Sequence, residues 1–211
     1  MPAIRMLAIG ACLVVGVVAP EATAAEPGWR SLFNGRDLDG WKPTPFGGEG
    51  EVRVVDGAIQ VAVGSELSGI TWQRDIPRTN LEIAIEARRD EGFDFFCGLT
   101  FPVGEGSCSF IVGGWGGTVV GLSSIDGLDA SQNATTTSET FASGRWYRIR
   151  VRSMPDRIEC FIDDKRIVDQ PVDDHRFTVR DEMLPARPLG IATYATAASL
   201  RDLRWRVIDP P

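Results

Sequence analysis

The sequence predicts an all-β fold in which two antiparallel sheets pack as a jelly-roll sandwich. Apolar residues recur with period two in short runs, the signature of strands with one buried and one wet face. Gly, Pro, Asp and Asn punctuate those runs at turn-like intervals. Beyond the first 25 residues, nothing reads as a long amphipathic helix. Many short strands with regular turns are the pattern of a sandwich or barrel.

In chain order, the first element is not part of the fold. Arg5 supplies one positive charge, residues 6–19 are apolar, and a small-residue stretch ends Ala22-Thr23-Ala24-Ala25. This is the pattern of a signal peptide with an Ala-x-Ala cleavage site, and the apolar run is too short for a comfortable membrane span. Ile9-Gly10-Ala11-Cys12 also permits a lipoprotein reading, although Cys12 falls early in the apolar run. Cleavage after Ala25 leaves residues 26–211, the length of one domain. The expectation is an exported protein, periplasmic or extracellular.

Strand candidates then follow at 51–55, 58–63, 69–73, 81–89, 93–101, 108–112, 119–122, 146–153, 157–162 and 200–208. Asp56-Gly57 between the first two is a tight hairpin signal. Met154-Pro155-Asp156 and Asp163-Asp164-Lys165 are turns of the same kind. Leu81, Ile83, Ile85 and Ala87 alternate with more polar neighbours, as do Tyr147, Ile149 and Val151 with three arginines. Residues 173–182 suit a short helix or a long loop. Residues 123–143, rich in Ser, Thr and Asn, are the least patterned, and loops of that length are usually functional or disordered.

Charge and cysteine use narrow the function. Arg5 and Glu21 offset one another, so the mature chain keeps the formal charge of −7. An acidic chain without basic runs is a poor partner for nucleic acid or anionic membrane, and a neutral polar ligand fits better. Cys97, Cys108 and Cys160 remain after cleavage. A symmetric hairpin around residues 102–107 would bring Cys97 near Cys108, so a disulfide is expected between them, with two small apolar residues on a sheet as the alternative. Cys160 alternates with Ile158 and Ile162 and reads as a buried thiol.

The sharpest local feature is Gly113-Gly114-Trp115-Gly116-Gly117. Gly114 and Gly116 strip side chains from either side of Trp115. An exposed indole there is a platform for a sugar ring, and a buried one fills a twisted strand end. Asp126, Asp129 and Asn133 follow within eight positions. They can bond sugar hydroxyls, and they offer a weak calcium signal whose spacing is not that of an EF-hand. Solvated turn residues are the blander reading. Asn133-Ala134-Thr135 matches a glycosylation sequon by pattern alone.

For acid–base work the chain offers Glu66, Asp94, Asp126, Asp129, Glu139 and its one histidine, His175. Asp94 stands among Phe93, Phe95 and Phe96, where partial burial would raise a carboxyl's pKa. Asp126 follows the glycine–tryptophan segment and can reach the same cleft. His175 has the best intrinsic pKa, but nothing places it near Trp115. Asp94 and Asp126 therefore rank ahead of it. No Glu-x-Asp-x-x-Glu strand, Gly-x-Ser-x-Gly elbow, His-Glu-x-x-His, phosphate loop or dinucleotide fingerprint occurs.

One segment carries a family resemblance. Leu32-Phe33-Asn34-Gly35-Arg36-Asp37-Leu38-Asp39-Gly40-Trp41 reads physically as an Asn-Gly turn whose ends carry aromatics able to pin the chain to a core. In this position it resembles the opening signature of the bacterial 3-keto-disaccharide hydrolase domain family. The strand at 146–151, the turn at 162–165, Pro188-Leu189-Gly190-Ile191-Ala192 and Leu200-Arg201-Asp202-Leu203 are similar to family patterns, though common among sandwiches. The resemblance covers nearly the whole mature chain. It implies a concanavalin A-like sandwich that cleaves glycosides oxidised to a ketone at carbon three, by hydrolysis or by elimination followed by hydration. A non-catalytic carbohydrate-binding module and an adhesion-type sandwich are the rivals.

Overall fold

The structure is a computed structural model that describes residues 28–208. The signal-like segment and Cys12 lie outside the described residues. The first strands are β1 (Arg30–Ser31), β2 (Trp41–Pro43), β3 (Val52–Val55), β4 (Ala58–Val61) and β5 (Leu67–Trp72). The long β6 (Leu81–Gly92) leads to β7 (Cys97–Val103), β8 (Gly106–Gly114), β9 (Val119–Ser123) and the short β10 (Thr137–Ser138). β11 (Trp146–Ser153), β12 (Arg157–Ile162) and β13 (Lys165–Pro171) follow. A 3₁₀ helix (Asp181–Ala186) then precedes β14 (Gly190–Tyr194) and β15 (Thr196–Val207).

Two antiparallel sheets result. One runs β13-β12-β11-β6-β15-β4-β3, with β1 added on β15, and the other runs β10-β9-β8-β7-β14-β5-β2. Their inner faces bury Ile59, Ile70, Leu81, Ile83, Phe96, Leu99, Phe101, Phe110, Leu122, Ile149 and Ile158 in one core. The predicted all-β sandwich is therefore what the chain forms. Turn chemistry sets the registers. Asp56 and Gly57 both take positive φ (49° and 75°), which pairs Val55 with Ala58, and Asp163 and Asp164 do the same between β12 and β13.

The opening motif is a staple. Asn34 Oδ1 accepts from the Arg36 and Asp37 amides, and its Nδ2 donates to Asp37 at 2.7 Å. Trp41 is buried, donates its indole N–H to the Leu32 carbonyl at 2.7 Å, and meets Trp72 edge-on at 5.1 Å. Gly40 at φ +81° lies under that ring; an added Cβ would come within 2.5 Å of it.

Two expectations are corrected. Residues 93–96 are not strand. Gly92 (φ +94°) ends β6 in one sheet, and the chain crosses to β7 in the other through these four residues, so Asp94 sits in a crossover. Cys97 and Cys108 are free thiols. The hairpin closes tightly over Gly104 and Glu105, which sets Cys108 opposite Phe101 and Cys97 opposite Val112. Four residues of strand, about 13 Å, separate the two positions, whereas a disulfide needs Cα atoms within about 7 Å. Burial pushes both thiols, and that of Cys160, far above the ordinary range, so all three are inert.

The outer face of the eight-stranded sheet is closed by arginine–aromatic stacks. Trp146 lies between Arg88 and Arg201, at 4.8 and 4.1 Å, and Phe161 lies under Arg150 at 4.0 Å. Beneath them Glu82 has no solvent-accessible side-chain area. Its Oε1 accepts from Arg150 at 2.6 Å and Arg152 at 2.9 Å, and its Oε2 from Arg206 at 2.6 Å. Burial alone would raise this carboxyl's pKa, but the three guanidinium bonds outweigh it and the net shift is downward.

Candidate active site

The outer face of the seven-stranded sheet is built differently. Reading across β5, β14, β7, β8 and β9, one row of paired residues is Gly69, Ala192, Gly98, Ile111 and Gly121. The next row is Thr71, Gly190, Thr100, Ser109 and Ser123. Neighbours on these strands point into the core, so in these two rows every residue but Ile111 carries a side chain of at most three heavy atoms. The floor is shaved. The 3₁₀ helix covers one end, packing Met183 and Ala186 against Leu67 and Ala192. What stays open is a cleft of about 580 Å³ lined by Ser109, Ile111, Ser123, Leu67 and Met183, with Phe95, Trp115 and Tyr194 as aromatic walls. Glu66, Asp94, Arg180 and Glu182 are its charged groups.

Trp115 sits at the turn between β8 and β9, at φ +48° and 43% exposed. It is on the cleft and not in the core. Glycines at positive φ on both sides, Gly113, Gly116 and Gly117, let the chain fold back under it, with the Gly117 amide donating to the Gly114 carbonyl.

Asp94 is 8% exposed and holds this loop. Its Oδ2 accepts from the Gly116 amide and its Oδ1 from the Phe95 amide, both at 2.8 Å. Its own amide donates to Thr196 Oγ1 on β15 at 3.0 Å. Arg89, buried on β6, donates to the carbonyls of Asp94 and Gly117 at 3.1 and 3.3 Å. Burial pulls the Arg89 pKa down, and the Asp94 charge partly offsets this. Each Asp94 oxygen retains a lone pair for a further donor.

Arg180 stands on the rim, its Nε donating to Glu182 at 2.5 Å and its Nη1 to Asp129 at 2.9 Å. The Glu182 bond is the main cause of its raised pKa, so the guanidinium is firmly charged. The exposed Glu66 carboxylate has no hydrogen bond or ion pair among the described residues.

The other sequence candidates fall elsewhere. Asp126 and His175 pair with each other, Oδ2 to Nδ1 at 2.7 Å, and neither lines the cleft. Asp126 is exposed, and the Arg176 amide and His175 lower its pKa. Asp129 acts on the cleft only through Arg180. The Asn133 amide is spent within the fold, donating to the carbonyls of Leu122 on β9 and of Leu128 and Asp129 on its own loop. Gly114 and Gly116 frame Trp115, and Gly116 offers its amide to Asp94. Among the described residues no group of three or more His, Cys, Asp or Glu side chains is arranged to hold a metal ion. No helix among them is long and apolar enough to cross a membrane.

A sandwich with an open, aromatic-walled sheet face places the chain in a class of carbohydrate-associated folds. A candidate glycosyl hydrolase of Parabacteroides distasonis superposes with a TM-score of 0.56 at 14% identity, over 92% of this chain and 99% of that one. The carbohydrate-binding module CBM66 of Bacillus subtilis superposes at 0.51 and 10% identity, over 79% and 95%. The Crh5 transglycosylase superposes at 0.57 and 12%, over 87% and 84%. At these identities the likeness is one of fold. Comparison with curated proteins finds no match. The family of 3-keto-alpha-glucoside-1,2-lyase-like domains matches residues 28–206, and this chain belongs to it.

Proposed function

We propose that this protein is an exported enzyme that cleaves 3-keto-glycosides in the cleft beside Trp115. The carrying observation is that the aromatic wall, a carboxylate and a charged guanidinium line one cleft: Trp115, Asp94 and Arg180. The reaction requires little else. A ketone at carbon three acidifies the C2–H, so a carboxylate held near it can act as the base. Arg180, fixed by Glu182 and Asp129, can stabilise the enolate oxygen as it forms. The ring stacks on Trp115, which the Asp94–Gly116 bond ties to the base. Membership of the lyase-like family supports this reading.

The test is to incubate the purified protein with a 3-keto-glucoside in D₂O and follow products by mass spectrometry. Release of the aglycone with one deuterium at C2 of the hydrated sugar is expected. Binding without cleavage would show a carbohydrate-binding module instead. Replacing Trp115 by Ala should weaken substrate binding by about 1–3 kcal/mol with little change in melting temperature, since the indole is exposed. Calorimetric titration with the substrate checks it. Unchanged binding would remove Trp115 from the site.

A further inference from the structure

A second cavity of about 210 Å³ adjoins the cleft, lined by Phe46, Gly47, Asp181 and Pro185. Glu66, Leu67 and Glu182 line both spaces and form the boundary between them. Leu67 is an apolar, buried floor, and Glu182 is committed to Arg180 at 2.5 Å. Of these three boundary residues Glu66 alone presents an uncommitted carboxyl; Asp181 lines only the second cavity. Its backbone is fixed, because the Glu66 carbonyl accepts from the Ala195 amide at 2.9 Å, beside Tyr194 of the cleft wall.

We infer that the second cavity holds the leaving aglycone and that Glu66 is the acid that protonates the departing glycosidic oxygen. The inference rests on the elimination reading above, and adds to it the group and the space that the leaving half of the substrate requires. With the 3-keto ring on Trp115, the bond to be broken crosses the boundary where Glu66 stands. Asp94 takes the C2 proton, and the electron pair moves onto the ketone oxygen. As the ketone re-forms, C1=C2 forms and the C1–O bond breaks. Its electron pair leaves on the glycosidic oxygen, which takes the Glu66 proton. The products are the free aglycone alcohol and an unsaturated ketone. In hydration, water oxygen adds to C1 and gives its proton to the Glu66 carboxylate, while Asp94 returns a proton to C2. Both carboxyls end as they began.

The experiment compares Glu66→Gln with the native protein on two 3-keto-glucosides, one with a methyl aglycone and one with 4-nitrophenyl. A methoxide leaving group needs a proton, and a 4-nitrophenolate does not. Turnover of the methyl glycoside should fall by about 10²–10⁴-fold, while that of the 4-nitrophenyl glycoside stays within a few-fold of native. Deuterium exchange at C2 of the uncleaved methyl glycoside should persist in the variant, because enolate formation does not use Glu66. Equal loss on both substrates, or no loss on either, overturns the role of Glu66. If the native protein neither cleaves nor exchanges, the elimination reading itself fails. Glu66 makes no side-chain bond in the fold, so the variant should fold as the native chain does.

Discussion

Asp94→Asn should reduce kcat on 3-keto-glycosides by about 10²–10⁴-fold, the usual contribution of a positioned general base. The substitution is nearly isosteric, but the amide can accept only through its oxygen. One of the two backbone donors, Gly116 or Phe95, then loses its partner. A stability loss of about 1–2 kcal/mol is expected from that alone. The two roles of Asp94 separate in the kinetics. A displaced Trp115 loop raises KM, whereas a missing base lowers kcat and stops deuterium exchange at C2. A variant that exchanges C2–H at the native rate would show that Asp94 only positions the loop.

Glu82→Ala should be the most destabilising single change on the outer face, at about 3–5 kcal/mol. Its carboxylate is inaccessible to solvent and bonded to three arginines, and removing it leaves those cations to repel one another. For a domain of this size the melting temperature should drop by about 6–20 °C. A drop under about 2 °C would show that the arginines re-pair with neighbouring acids at no loss. The pH dependence follows from the shift in Glu82. Its folded-state pKa lies below its ordinary value of 4.5, so its stabilisation is fully present above that value. It is lost as pH falls through the depressed pKa, and acid unfolding of Glu82→Gln should lack this component.

The sandwich was legible because its signals are local. Period-two alternation in 81–89 and 146–153, and turns such as Asp56-Gly57, each act within a few residues. β13 was hidden because Lys165–Pro171 mixes charges with only a short apolar stretch, and β2 because three residues make no period. Trp115 declared itself through its glycines. The shaved floor did not, since Gly69, Gly98 and Gly121 become one surface only after five strands take their registers. The nearness of Asp94 to Trp115 depends on a crossover between sheets that reads in sequence as a strand. Glu66 has no motif around it, so in sequence it is one acid among several and stands out only where two cavities meet.

The staple formed by Asn34, Trp41 and Trp72 has a consequence for what the opening signature can report. None of residues 32–41 lines either cavity. The signature fixes one end of the sandwich, while the substrate would be met by side chains from the crossover, the β8–β9 turn, the 3₁₀ helix and the strand ends. It thus marks lineage, and the groups proposed to do the chemistry lie elsewhere. If Glu66, Asp94, Trp115 and Arg180 act as proposed, activity in a relative that keeps the turn and the buried tryptophan is judged from its counterparts of those four.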